Sequence, residues 1–390
     1  MFTVPGCFAT LVRARVHPMT SPMGRVVVVG GGVIGTMHAW AARRGGHEVR
    51  QLEADAEPRR ASVRNFGLVW VSGRAPGPEL DLALRARARW EELGTAISGI
   101  GFRPDGSLTV AQHPAELAVM AELVAQPDAD RRGVQLLDPD ETRAQNPAVR
   151  GELLGALFCS RDAVVEPRQV LPAVRGYLAA AGGYEFVPGR VATRVEPGRV
   201  TDHTGAVHEG DLVVVCPGAM HDGVAAEFLA DAPVRRCRLQ MLQTQPFGER
   251  LTTALADGDS LRYYPAFDLP SATALPPPAP VVAEYRAQLL VAQRSTGELT
   301  IGDTHHYDEP YDFAVDEAPS AHLLGRAESL LGRRLPPVQR RWAGVYSQAT
   351  DDSPCVRVWP DPRIVVVTGL GGRGMTLSPA VAEQTMEDLS

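Results

Sequence analysis

Four consecutive valines, Val26 to Val29, run into Gly30-Gly31-Gly32, and an Ala-rich stretch from Val33 and Ile34 through Trp40, Ala41 and Ala42 follows. A short, unbroken apolar run reads as a buried strand, and the longer stretch after the glycines reads as a helix. After Gly45-Gly46 a second strand is expected over 48–52, ending on Glu53. The same logic predicts helices over 78–93 (Leu80, Leu84, Ala88 and Leu93, with arginines between), 114–125, 168–181 and 320–331. Strand patterns fall at 191–195, 199–202, 211–215, 237–244, 260–264, 289–292, 299–301 and 364–368. Strand pairs over 101–112 would turn at Pro104-Asp105-Gly106. The prolines at 270, 276, 277, 278 and 280 predict a solvated loop, and a terminal helix is expected from Ser378.

The strand, glycine turn, helix and second strand form a βαβ unit, and its glycines and terminal acid fit the dinucleotide-binding fingerprint. Gly30 allows the tight turn, Gly32 lets the backbone approach a pyrophosphate, and Gly35 lets helix pack on strand. The first helical N–H groups face the anion. Glu53 would accept hydrogen bonds from a ribose diol. Late in the chain a strand over 364–368 again enters a helix through glycines, Gly369 to Gly374, so both ends of the chain make ligand-facing turns. The expected fold class is therefore α/β (α+β): a Rossmann domain interleaved with a second domain on a mostly antiparallel sheet. The expected division is 23–77, 150–230 and 340–390 for the first and 78–149 with 231–339 for the second. Residues 1–22 read as a loose extension.

Composition narrows the chemistry. The 39 basic residues are all arginine and the chain has no lysine. That excludes a Schiff-base or pyridoxal phosphate enzyme, a Walker-type phosphate loop and a kinase, each of which needs an amine on a flexible stem. A net charge of -7 argues against a nucleic-acid partner. The five cysteines form no C-x-x-C pair, which suggests neither a disulfide framework nor a metal site and fits a reduced, cytoplasmic chain. No apolar run reaches the roughly 18 residues of a membrane span.

Gly30-x-Gly32-x-x-Gly35, Glu53, the loop Ser62-Val63-Arg64-Asn65-Phe66-Gly67, Val191, Cys216-Pro217-Gly218-Ala219, Trp342-Ala343-Gly344 and Gly371-Gly372-Arg373-Gly374-Met375-Thr376 together resemble the D-amino-acid oxidase/glycine oxidase family of FAD-dependent oxidoreductases. The strings from Ala61 to Gly67 and from Arg236 to Met241 are similar to a branch associated with aminophosphonate breakdown. The resemblance implies a glutathione-reductase-type FAD domain. Gly30, Gly32, Val33, Ile34 and Gly35 would hold the pyrophosphate and Glu53 the ribose. Ser62, Asn65, Phe66 and Gly67 would lie along the ribityl chain and flavin edge, Val191 near the adenine, Cys216 and Gly218 at the returning strand. Gly371, Gly372, Arg373, Gly374, Met375 and Thr376 would face the flavin pyrimidine.

The implied reaction oxidises the carbon–nitrogen bond of a small primary or secondary amine bearing an anion, with 2-aminoethylphosphonate or an N-alkyl derivative foremost. The imine would be split by water to an aldehyde, with oxygen or another acceptor taking the electrons. A monomer or homo-oligomer is expected. Relatives clamp a substrate carboxylate with an arginine just after the Trp-Ala-Gly segment, where this chain has Tyr346. A phenol cannot supply that bidentate clamp, so Arg64, Arg262, His305, His306 and Arg373 become the candidate anion-binding groups. Cys355 follows Pro354 directly, unlike the flavin-linking cysteine of some relatives, so FAD is expected to be noncovalent. The oxygen-activating lysine of others is unavailable. A glycine, sarcosine or D-amino-acid oxidase, an electron-relaying flavoprotein subunit and a nicotinamide dehydrogenase are the alternatives.

Overall fold

The structure is a computed structural model and describes residues 24–388; the expectation for residues 1–22 lies outside it. In the strand Arg25–Val29, Val26, Val27 and Val28 are completely buried. Their side chains alternate between two cores. Val26 and Val28 pack with Met37, Trp40, Trp90 and Leu377 from the helices Val33–Arg44, Pro78–Ala96 and Gly374–Glu387. Val27 packs with Val195 and Val200 from a three-stranded sheet on the opposite face. A strand covered on both sides needs no polar positions, which is why four valines stand in sequence.

That strand is central in a six-stranded sheet ordered Val356–Asp361, Ile364–Thr368, Leu212–Val215, Arg25–Val29, Glu48–Leu52 and Tyr184–Val187. All neighbours run parallel except the first pair. The middle of the chain thus returns beside its beginning and the last strand joins the same sheet one place further out, so both glycine turns leave the same ends of parallel strands.

An eight-stranded sheet stands opposite, ordered Val338–Ala349, Val234–Pro246, Glu298–Gly302, Leu290–Gln293, Ala254–Ala256, Ser107–Ala111, Gly155–Cys159 and Val134–Leu137. Its pairings are antiparallel except between Ala254–Ala256 and Ser107–Ala111. One face, with Leu242, Leu255, Val291 and Ile301, is covered by Leu323 and Leu330 of the helix Glu317–Leu331. The other carries Leu239, Met241, Tyr264 and Tyr346. The mixed α/β fold with two sheets is the one expected.

Several local expectations are corrected. Residues 260–264 are not a strand: Gly258–Arg262 is a 3-10 helix, begun where the Asp257 carboxylate accepts from the Asp259 N–H at 3.2 Å. The strand over 101–112 shrinks to Ser107–Ala111, because Gly101 and Gly106 adopt left-handed φ values of 63° and 77° that interrupt it. The proline-rich loop holds two ordered turns, Pro270–Ala274 and Pro280–Tyr285. The terminal helix starts at Gly374 rather than Ser378, since Gly374 itself has helical φ and ψ of -55° and -45°.

Candidate active site

Between the two sheets lies a cavity of about 1120 Å³. From the six-stranded side it is lined by Gly30, Gly31, Gly32, Val33, Ile34, Glu53, Ser62, Arg64, Asn65, Phe66, Val191, Cys216 and Gly218, and by every residue from Gly371 to Thr376. Leu239, Met241, Tyr263, Tyr264, Asp303, His305 and Tyr346 line it as well. Nearly all the residues singled out in the sequence thus meet in one chamber.

Gly30 has φ 113°, and a Cβ there would stand 2.4 Å from the Cys216 carbonyl oxygen, so the turn and the returning strand approach as closely as backbone allows. The Gly31 N–H donates to Glu53 Oε2 at 2.7 Å and the Asp55 N–H to Oε1 at 2.9 Å. The carboxylate is fixed by backbone and retains lone pairs for a diol. The Val33 N–H donates to Ser62 Oγ at 2.9 Å, tying the loop after the second strand to the first turn of the helix. Gly32 caps that helix without a side chain, and its first turn holds no acid.

The second turn repeats the arrangement. The helix Gly374–Glu387 has no side-chain cap and no acidic residue in its first turn. Its positive end therefore faces the cavity, ready for developing negative charge. Side-chain-free turns, two helix starts without a capping side chain of their own and a backbone-held carboxylate match what FAD requires: room at the pyrophosphate, an acceptor for ribose and a positive field at the flavin pyrimidine.

Four expected site residues, Gly35, Gly67, Arg262 and His306, do not line the cavity. Gly35 is a packing residue, since a Cβ there would lie 2.1 Å from the Gly30 carbonyl oxygen. Gly67 likewise lets its strand cross Val165, whose carbonyl oxygen would be 2.1 Å from a Cβ. Arg262, expected on a strand roofing the flavin, points away. Its guanidinium donates to the Pro276 carbonyl and lies 3.6 Å from Asp259, because the 3-10 turn directs it toward the proline-rich segment.

Of the other anion-binding candidates, Arg64 lines the cavity but donates to the carbonyls of Arg59 and Ala343, both at 2.8 Å. Arg373 bonds Glu79, the Ser353 carbonyl and the Leu370 carbonyl. His305 is buried, stacks on Tyr263 at 4.2 Å and is 3.8 Å from Asp303. His306 is exposed and forms a backbone bridge to Arg238. Tyr346 pairs with Cys237 across the strands, and its buried hydroxyl neighbours Cys237 and Tyr263 without a hydrogen bond of full geometry among the described residues.

The Tyr263 and Tyr346 hydroxyls stand 3.8 and 3.7 Å from where a Cβ of Gly372 would be, so both phenols face the second glycine turn. Burial pushes both phenols well above their ordinary range, keeping them neutral donors. Burial also raises the Asp303 carboxyl, with His305 opposing that shift.

Arg74, Glu79 and Asp303 were not singled out by the sequence, yet all three line the cavity. A buried arginine and a surface one look alike in a sequence. The expected strand over 260–264 with Arg262 touched this wall, since Tyr263 and Tyr264 adjoin that arginine in sequence.

Among curated proteins, the chain is 26% identical to an opine oxidase subunit of Rhizobium meliloti over 234 residues, covering 56% of this chain and 63% of that protein, less than two thirds of its length. Against glycine oxidase of Bacillus licheniformis it is 24% identical, covering 92% of this chain and 90% of the other. The solved glycine oxidase of Bacillus cereus ATCC 14579 superimposes with a TM-score of 0.74 at 20% identity, covering 94% of each chain. The model of the DAO family, FAD dependent oxidoreductase, matches residues 25–387, and the chain accordingly belongs to that family.

Proposed function

We propose that this FAD-dependent oxidoreductase oxidises the carbon–nitrogen bond of a small primary or secondary amine that carries an anionic group, foremost 2-aminoethylphosphonate or an N-alkyl derivative. The residues that line the two glycine turns would hold FAD without a covalent link, and it would supply the two-electron acceptor, with oxygen as the onward acceptor. The observation that carries this reading is the single chamber shared by both glycine turns and a wall of tyrosines and arginine.

The chain's own residues divide the work. Gly30 to Ile34, Glu53, Ser62 and Val191 hold the nucleotide end. Gly371 to Thr376 hold the flavin end, with Asn65 and Phe66 beside it. The apolar Leu239 and Met241 and the neutral phenols of Tyr263 and Tyr346 exclude water and favour an amine bound without its extra proton. Positioning of that neutral amine then supplies most of the rate.

Anaerobic addition of 2-aminoethylphosphonate to the purified yellow protein should bleach its flavin absorbance. Persistence of the colour with every aminophosphonate, together with bleaching by glycine or sarcosine, would replace this reading with that of a glycine or sarcosine oxidase. The Bacillus licheniformis relative supports that alternative; Tyr346→Arg should then improve turnover of glycine. A second reading, a flavin-bearing subunit of a larger assembly, is favoured by the name of the Rhizobium meliloti relative. Turnover by the isolated chain excludes it.

A further inference from the structure

Six arginines line the cavity: Arg59, Arg60, Arg64, Arg74, Arg190 and Arg373. Five are already occupied or face solvent. Arg59 and Arg60 are exposed. Arg64 is bonded to two carbonyls. Arg190 donates to Thr204 at 2.9 Å and lies 3.6 Å from Asp202. Arg373 distributes its three nitrogens over Glu79 and two carbonyls.

Arg74 differs in each respect. It is 3% exposed, and its Nε has no hydrogen-bond partner among the described residues. Its one ion pair, Nη1 to Glu79 Oε1, is long at 3.4 Å. Its guanidinium lies over the Tyr264 ring, 5.3 Å from the ring centre, a cation–π contact that holds the charged head against this wall. The supporting backbone is rigid, because Arg132 donates to the carbonyls of Ser72 and Arg74 at 3.0 and 2.7 Å.

Charge points the same way. Arg74 and Arg373 share one oxygen of Glu79, so two guanidiniums are served by a single carboxylate. A buried cation with an unused donor is costly unless a further acceptor arrives. Planar guanidinium is the group suited to bidentate capture of a carboxylate or phosphonate. Arg373 is part of the second glycine turn, so an anion seated on Arg74 stands beside that turn.

We propose that Arg74, laid over Tyr264 and steadied by Glu79, receives the anionic end of the substrate and thereby selects amines that carry one. This rests on the amine-oxidation reading above for the word substrate, but the anion site itself can be tested without turnover. Glu79 is a positioning residue here, and Tyr264 is the platform.

The test is calorimetric titration of the FAD-loaded protein with methylphosphonate and, separately, acetate, paired with KM values for 2-aminoethylphosphonate and for propylamine, which has no anion. Arg74→Gln should weaken methylphosphonate binding and raise KM for the aminophosphonate, each on the order of 100-fold, with KM for propylamine within about threefold. Arg74→Lys, which keeps the charge and loses the fork, should fall between. Arg262→Gln, outside the cavity, should match the wild type.

Absence of methylphosphonate and acetate binding in the wild type would overturn the proposal. So would unchanged binding in a folded Arg74→Gln protein or, should that variant not fold, in Arg74→Lys. An equal loss for propylamine would assign Arg74 a structural role instead. If anions bind and depend on Arg74 but no amine bleaches the flavin, the anion site stands and the amine-oxidation reading falls.

Discussion

The nucleotide end and the substrate wall of the cavity are built by opposite means. Gly30 to Ile34, Glu53 and Ser62 lie within about 35 residues of one another, and their geometry is a property of backbone: a glycine turn, a helix start and a carboxylate held by two N–H groups. The substrate wall draws Arg74 and Glu79 from one segment, Tyr263 and Tyr264 from another, and Asp303, His305, Tyr346 and Arg373 from places further along the chain. It is made of side chains that meet only in the folded protein. A local, backbone-built site tolerates little change within it, whereas a wall assembled from distant side chains can change specificity residue by residue.

The largest test of that contrast is at the nucleotide end. Gly35→Val drives a side chain into the Gly30 carbonyl, 2.1 Å from where even a Cβ would sit. We expect about 3 kcal/mol or more of destabilisation and a protein purified without flavin; chemical denaturation and the visible spectrum check both. A stable yellow variant would show that the helix can shift on its strand.

Glu53→Gln is milder, because an amide still accepts from one backbone N–H. FAD affinity should fall roughly 10-fold with loss of the charge-assisted bonds, measured by flavin fluorescence on titration. No change would place the ribose elsewhere.

At the substrate wall, Tyr346→Phe removes a buried hydroxyl that makes no hydrogen bond of full geometry among the described residues. The flavin-free variant should differ from the wild type by less than about 1 kcal/mol. A larger loss of stability would mean that the hydroxyl makes a bond in solution.

The smallest effect concerns the turn that carries Tyr263 and Tyr264. Burial, with Asp257 beside it, pushes the Asp259 carboxyl up to about 6. A carboxyl raised on folding contributes stability that is fully present below its ordinary range and is lost as pH rises through the raised value. Asp259→Asn should therefore remove about 1 kcal/mol of pH-dependent stability between roughly pH 4 and pH 7, after allowance for solvent screening. Denaturation midpoints of the two proteins across that range decide it; parallel curves would refute it.

The same contrast explains what was legible in the sequence. The valine run, both glycine turns and Glu53 announce themselves because turn chemistry and burial on two faces restrict residue type locally. Tyr346 was visible as a departure on a recognisable strand. Arg262 was misplaced because Leu261 and Tyr263 alternate with polar neighbours as in a strand, whereas the Asp257 cap and Pro265 favour a 3-10 turn that reverses the arginine. Gly35 packs helix on strand as its place in the fingerprint implies, whereas Gly67, expected at the flavin edge, serves a chain crossing instead. Arg74 carries no local signal at all: its burial depends on Arg132, Glu79 and Tyr264, brought together by tertiary structure.

The most direct measurement is the anaerobic rate of flavin bleaching by three amines of similar length: 2-aminoethylphosphonate, β-alanine and propylamine. Both anionic amines should outpace propylamine, with the phosphonate fastest. Equal rates for all three, or bleaching by propylamine alone, would contradict this expectation.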